Sequence, residues 1–219
     1  MATQDKNFVH LHVHTEYSML DGAARIEELV NEVAKQNSPA IAITDHGNLF
    51  GAFEFYKKAR QAGVKPIIGI EAYVAPESRF DKRRVKWAEG GEDDVSSGGA
   101  YTHMTLLAEN QSGLANLFKL SSLASLEGFY YKPRMDRELL SKFSKGIIGT
   151  SGCPGGEIQT KLRIGAYQEA KVAASELRDI FGKDNFFIEL MDHGIEIEKR
   201  VKVDLLKLSK DLNIPLLAT

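Results

Sequence analysis

Cysteine is almost missing from this chain. A single one, Cys153, occurs in 219 residues. That excludes an intrachain disulfide and points to a reduced, cytoplasmic setting. Long apolar runs are missing too: none approaches the roughly 18 residues needed to span a bilayer. The start, "MATQDKNF", lacks the apolar stretch of a secretory leader, so no membrane partner is expected. Nor is there a surplus of positive charge. Lys and Arg number 28 against 30 Asp and Glu, a net charge of −2. A domain that holds nucleic acid by itself is usually basic. If this chain acts on DNA or RNA, most of the grip must come from elsewhere. No glycine-rich phosphate loop follows the first strand candidate, and no internal repeat recurs at a fixed period.

What is present is an alternation. Short runs rich in Ile and Val, bounded by Gly, Pro or Asn, read as strands at 8–15, 40–46, 65–75, 102–110, 146–154, 185–193 and 214–219. Segments of helical period lie at 23–37, 50–62, 112–125, 156–181 and 195–212. In the first of these, Ile26, Leu29, Val30 and Val33 fall on one helical face. Strand–helix–strand repetition predicts an α/β fold with a parallel sheet and crossover helices. An open doubly wound sheet and a barrel both satisfy the pattern. Polar residues collect at the ends of most strands, where barrels keep their chemistry, and this favours the barrel. We read 1–219 as one domain. The stretch 76–101, basic in its first half and acidic and Gly/Ser-rich in its second, reads as a long insertion or mobile loop on the C-terminal face.

Half of the six histidines stand in "FVHLHVHTEYSMLDG": His10, His12 and His14, with Asp21 seven residues on. Alternate positions on a strand share a face. Phe8 continues that face, so the three rings are expected inside, His10 deepest and His14 nearest the mouth. Val9, Leu11 and Val13 would then pack against helices. One buried histidine is usually a hydrogen-bonded core residue. Three in line are costly unless something binds them, and neutral imidazole is a common ligand for Zn²⁺ and related ions. Other strand candidates add donors of the same chemistry: Asp45 and His46 in "TDHG", Glu71 in "GIEAY", His103, and Cys153 in "SGCPGG". A buried strand carboxylate such as Glu71 calls for a partner. "GCPGG" itself reads as a turn after a strand, not as a nucleotide loop.

The blocks "HLHVHTEYSMLDG", "ITDHGNLFGAFEFYKKARQAGVKPIIGIEAYVA" and "GFYYKPRMD" resemble the polymerase and histidinol phosphatase (PHP) domain. The resemblance runs from Phe8 to Thr219. Within that family the chain looks most like the domain at the N-terminus of bacterial replicative DNA polymerase III alpha subunits. The resemblance implies a distorted (β/α)7 barrel, here truncated at its last strand, holding two or three divalent metal ions. Position by position, the family's ligands fall on His12, His14, Asp21, His46, Glu71, His103 and Cys153. His10 is then structural, and Asp45 and His193 lie outside the set. Histidine is frequent in the family where this chain has Asp21 and Cys153. A thiolate leans toward Zn²⁺, and the ions expected are Zn or Mn. The family's closing Asp-x-His pair would come after "IPLLAT", so the chain reads as a fragment of a longer polymerase.

The implied chemistry is phosphodiester cleavage, because metal ions about 3.5–4 Å apart can activate a water and stabilise the leaving oxygen. His12, His14, Glu71 and His103 would hold that water's metals. In the parent protein the activity would be a 3′–5′ exonuclease, serving proofreading in DNA replication. Nucleotide addition, a DNA-directed nucleotidyltransferase reaction using Mg, would belong to domains not present here. DNA and other replisome subunits would be the partners of the full-length protein. Two other readings stand beside this one: a non-catalytic metal-binding scaffold that stabilises the polymerase or binds a proofreading partner, and a free-standing histidinol-phosphate-type phosphatase. Lys132 and Arg134 in "YYKPRMD", with Lys82, Arg83 and Arg84 in the insertion, are candidate phosphate contacts, and each reads more readily as part of a solvated basic surface.

Overall fold

The computed structural model describes residues 8–87 and 96–219. In chain order its elements are α1 (Ile26–Lys35), β1 (Ala40–Ile43), α2 (Ala52–Gln61), β2 (Lys65–Val74), β3 (Thr102–Ala108), α3 (Gln111–Glu127), β4 (Arg134–Met135), α4 (Arg137–Phe143), β5 (Ile147–Thr150), α5 (Glu157–Arg163), α6 (Tyr167–Phe181), β6 (Phe186–Leu190), α7 (Glu196–Leu212) and β7 (Leu216–Ala218). The strands form one curled sheet in the order β1-β2-β3-β5-β6-β7, with β4 paired to β2. This is the distorted α/β barrel expected from the sequence, with three departures.

The first departure is at residues 8–15, which do not form one of the regular strands. They run extended alongside β1: Ala42 N donates to His10 O at 2.9 Å and Thr44 N to Val13 O at 2.8 Å. Three residue steps here span two on β1, so the pairing bulges and strict alternation is lost. Phe8 is 41% exposed and His10 is exposed with it, edge-on to its ring. The expectation that His10 is the deepest of the three is therefore wrong. His12 and His14 do turn inward.

Second, the sheet is not all parallel. β3 runs antiparallel to both β2 and β5, while β1–β2, β2–β4, β5–β6 and β6–β7 are parallel. The reason is the insertion. It leaves the end of β2 and returns to that same end, so β3 must run back down. The third departure is in the helices. The span 156–181 breaks into α5 and α6 around Gly165, whose φ of 78° is left-handed. β4 and α4 were not read from the sequence at all. α4 is capped by Asp136, which accepts from Leu139 N at 3.0 Å.

Alternation on β2 explains where the core and the site lie. Ile70, Ala72 and Val74 face the helices and join Met104, Leu106, Leu117 and Ile188 in the larger apolar core. A smaller core joins α1, α2 and β1 through Ile26, Val30, Ile43 and Phe55. The opposite face of β2 carries Gly69, Glu71 and Tyr73, paired across to Leu107, Thr105 and His103 of β3. Gly69 leaves room for the neighbouring strand, because a β-carbon there would sit 2.7 Å from the backbone carbonyl oxygen of Leu106.

The described parts of the insertion are pinned. Arg134 is fully buried, and its guanidinium is spent on four carbonyls: Gly128 at 3.1 Å, Ala100 at 3.1 Å, Arg79 at 3.2 Å and Asp81 at 2.7 Å. It thereby ties both ends of the insertion to β4. Arg79, also buried, pairs with Asp136 at 3.0 Å and Glu127 at 2.7 Å. Arg134 is thus a structural staple and not a phosphate contact. Arg83 is held by Asp81, and Arg84 lies over the Tyr131 ring. The part of the insertion at 88–95 lies outside the described residues. Replacing Arg134 with Leu should orphan the four carbonyls and cost about 3–5 kcal/mol, read by urea unfolding. A loss below about 1 kcal/mol, the size of an ordinary surface change, would show that the staple is dispensable.

Candidate metal centre

Glu71 stands at the centre of the inward face, with its side chain 1% exposed. Around it the chain assembles six of the residues singled out from the sequence. His46 Nδ1 lies 2.8 Å from Glu71 Oε2 and His14 Nε2 lies 3.1 Å from it. On the other oxygen, His103 Nδ1 is at 2.9 Å, the Cys153 thiol at 3.1 Å and His12 Nε2 at 3.6 Å. Asp21 caps the group from the solvent side, 2.7 Å from His46 Nε2 and 3.8 Å from His14 Nδ1. All seven positions converge on one mouth.

Each arrives for a local reason. His12 and His14 ride on the bulged segment beside β1. His46 follows β1 through a parallel bridge to Glu71. The turn after it needs glycine: Gly47 has φ 66°, and a β-carbon there would meet the Tyr73 ring at 2.7 Å. His103 is the second residue of β3, and because β3 is reversed its first residues lie at the mouth. Cys153 sits in the turn before α5. Asp21 is held by the turn Ser18–Gly22, where Gly22 N donates to Ser18 O at 2.7 Å. Asp45 serves that loop rather than the centre. It accepts from Thr15 N at 2.6 Å, Thr15 Oγ1 at 2.8 Å and Ser18 Oγ at 2.8 Å. His193 is exposed and paired to Glu198. Both lie outside the centre, as expected.

The donor set fits a divalent cation. His14 Nδ1, His46 Nδ1 and Glu71 Oε2 are buried without a hydrogen-bond partner, although the last two are 2.8 Å apart. Their alignment is wrong for a hydrogen bond, and a cation between such atoms would satisfy them. Three overlapping groups of donor atoms, each within 4.8 Å, can be drawn: His12–His14–Glu71, His14–Asp21–His46 and His46–Glu71–His103. The set mixes borderline imidazoles, hard carboxylates and one soft thiol, a mixture that suits a divalent transition-metal ion.

The electrostatics agree. Burial would raise the Glu71 pKa, but His103, His12, His14 and His46 outweigh it and hold the carboxyl well below its usual range. Burial would likewise lower His12, yet its contacts with Glu189 and Glu71 push it up to about 10. A metal would displace that proton. The Cys153 thiol is pushed up by burial and by the charge of Glu71; a coordinated metal would reverse this.

One residue was missed. Glu189, on β6, is fully buried and contacts His12 Nδ1 at 2.7 Å. Its signal was legible: an acid inside "FFIEL" stands out as Glu71 does inside "GIEAY".

Above the centre an open cleft of about 340 Å³ is lined by Asp21, His46, Tyr73, Tyr101, His103 and Lys132. Lys132 lies over the Tyr73 ring at 5.5 Å.

A curled α/β barrel with imidazoles, carboxylates and a thiol gathered at its mouth is a barrel with a candidate metal centre. The PHP domain family model matches residues 10–193, and the chain belongs to that family. It is 58% identical to the DNA polymerase III subunit alpha of Saccharopolyspora erythraea, over 97% of this chain and 18% of that protein. The corresponding subunit of Mycobacterium tuberculosis is also 58% identical, over 100% of this chain and 19% of its own. The chain thus spans about a fifth of the length of these relatives. Among solved structures, an amidohydrolase from Chromobacterium violaceum with bound sulfate and no metal aligns with a TM-score of 0.53 at 13% identity, covering 96% of this chain and 84% of that one. That likeness concerns the fold alone. No described helix is long and apolar enough to cross a membrane.

Glu71→Ala in the full-length protein should lower the metal content per molecule while leaving the far-ultraviolet circular dichroism unchanged. Equal metal in both proteins, by elemental analysis, would remove Glu71 from the centre.

Proposed function

We propose that this chain is the PHP domain, spanning 1–219, of a DNA polymerase III alpha subunit, and that its centre is a metal-dependent phosphoesterase acting on the 3′ end of a DNA strand. The observation that carries this reading is the buried Glu71 carboxylate with His12, His14, His46, His103 and Cys153 directed at its two oxygens. Together with Asp21 these residues would hold two or three divalent ions, Zn or Mn. Family membership and the relatives' name support the assignment. When bound, the metals would supply Lewis acidity and an activated water.

The chain's own residues have separate tasks. Glu71, reached by both groups of rings, bridges the two sides of the centre. Asp21 fixes His46 through Nε2, so that Nδ1 faces Glu71. Lys132 brings a positive charge to the cleft wall and would meet a phosphate there. Tyr73 and Tyr101 form a wall against which a sugar or base can rest. The net charge of −2 leaves the grip on DNA to the remainder of the protein. Nucleotide addition, the Mg it needs and the contacts with other replisome subunits belong to that remainder, in the cytoplasm.

The test separates an enzyme from a scaffold. The intact protein should remove nucleotides from a 3′ end in a metal-dependent way. His14→Ala should lower that rate by at least about 100-fold, the scale of losing a catalytic group, while nucleotide addition stays largely intact. If the intact protein shows no such hydrolysis, and His14→Ala lowers polymerase activity and thermal stability together, the scaffold reading holds instead.

A further inference from the structure

Glu189 has no place in the ligand set, yet it is a fully buried carboxylate at the base of the centre. We propose that Glu189 is a positioning residue. It holds the Nδ1–H of His12 and so turns His12 Nε2, as a lone pair, toward the metal. This rests on the proposal that His12 is a ligand, and the tests below separate the two.

Three observations carry it. The first is distance and direction. His12 Nδ1 is 2.7 Å from Glu189 Oε1, while Nε2, on the other side of the ring, faces Glu71 Oε1 at 3.6 Å. One ring nitrogen is engaged from below and the other is presented to the centre. The second is saturation. Glu189 Oε1 also accepts from Thr219 Oγ1 at 2.9 Å. Oε2 accepts from Thr105 Oγ1 at 3.3 Å, a hydroxyl whose oxygen also lies 3.1 Å from His12 Nδ1 and can share its proton, and closely from Thr150 Oγ1. An ionised carboxylate offers about four acceptor sites, and four donors occupy them. Glu189 therefore has nothing left for a metal and acts through His12. The third is rigidity. The backbone N–H of Glu189 donates to Ser151 Oγ at 2.9 Å, and β6 is paired on both sides, to β5 and β7. The carboxylate is a fixed post rather than a mobile counter-charge. A carboxylate behind a ligating histidine fixes its tautomer and raises its basicity.

Glu189→Gln keeps the shape, and the threonine hydroxyls can rotate to serve an amide. What changes is the partner offered to His12. An amide is a weaker acceptor, and if its N–H₂ turns toward Nδ1 the ring must carry its proton on Nε2, the nitrogen the metal needs. In the full-length protein, Zn²⁺ affinity measured against a chromophoric chelator should weaken about 10–100-fold in Glu189→Gln. In a His12→Ala background the same change should weaken it less than about 2-fold, because the residue it acts through is gone. Equal losses in both backgrounds, or no loss in either, would overturn the positioning role. Unchanged affinity in His12→Ala alone would instead overturn His12 as a ligand. A crystal structure of the Zn²⁺-loaded wild type checks the same point without any variant. Nε2 on the metal and Nδ1 on Glu189 supports the assignment; Nδ1 on the metal, or Glu189 itself coordinating, overturns it.

Discussion

One buried negative charge organises this molecule. Glu71 lies in the middle of a strand whose outward residues, Ile70 and Ala72, are completely buried. An ionised carboxylate without partners at such a depth costs several kcal/mol even after relaxation. The chain answers by delivering four imidazoles and a thiol to its two oxygens, from a bulged edge segment, the end of β1, the start of β3 and the turn before α5. These elements are far apart in sequence, so the centre exists only once the sheet has curled.

The reversed strand shows how the fold serves that charge. Were β3 parallel to β2, its first residues would lie at the far end of the barrel and His103 with them. The insertion prevents this by leaving and re-entering at one end. Arg134 makes the arrangement durable. Its four carbonyl partners come from the entry of the insertion, its exit and the end of α3. A residue with no contact to the centre therefore decides where one of the proposed ligands begins.

The sequence disclosed which residues gather around Glu71 better than it disclosed the strand geometry. His12, His14 and Glu71 are chemically conspicuous, Asp21, His46, His103 and Cys153 stand out beside them at the ends of strand candidates, and the resemblance to a known family joined all seven in one set. Strand direction was hidden because an apolar run such as "THMTLLAEN" reads the same whether parallel or antiparallel. The exposure of Phe8 and His10 was hidden because periodicity assumes a regular strand, and one extra residue opposite β1 breaks it. Arg134 escaped both readings offered for it, a phosphate contact or a solvated basic surface, because a basic residue in sequence gives no sign of being fully buried. Only tertiary structure reveals that its hydrogen-bonding groups are consumed. Glu189 differs in kind. Its apolar neighbours did mark it, but an acid that orients a ligand carries no ligand spacing of its own.

Taken in depth, the carboxylates form a series: Asp21 at 54% side-chain exposure, Glu71 at 1% and Glu189 at 0%. Imidazoles link them. Asp21 reaches Glu71 through His46, with contacts of 2.7 and 2.8 Å. Glu71 reaches Glu189 through His12, with contacts of 3.6 and 2.7 Å. Acid and imidazole thus alternate from the cleft to the interior, so no two carboxylates meet without a ring between them. The deep end is locked by threonine hydroxyls and by β6. The shallow end hangs on a turn open to solvent. A ladder of this kind holds its inner donors rigid and leaves its outermost carboxylate free to exchange partners. The adaptable carboxylate thus stands at the open cleft, and the fixed ones lie where charge has to be held in register.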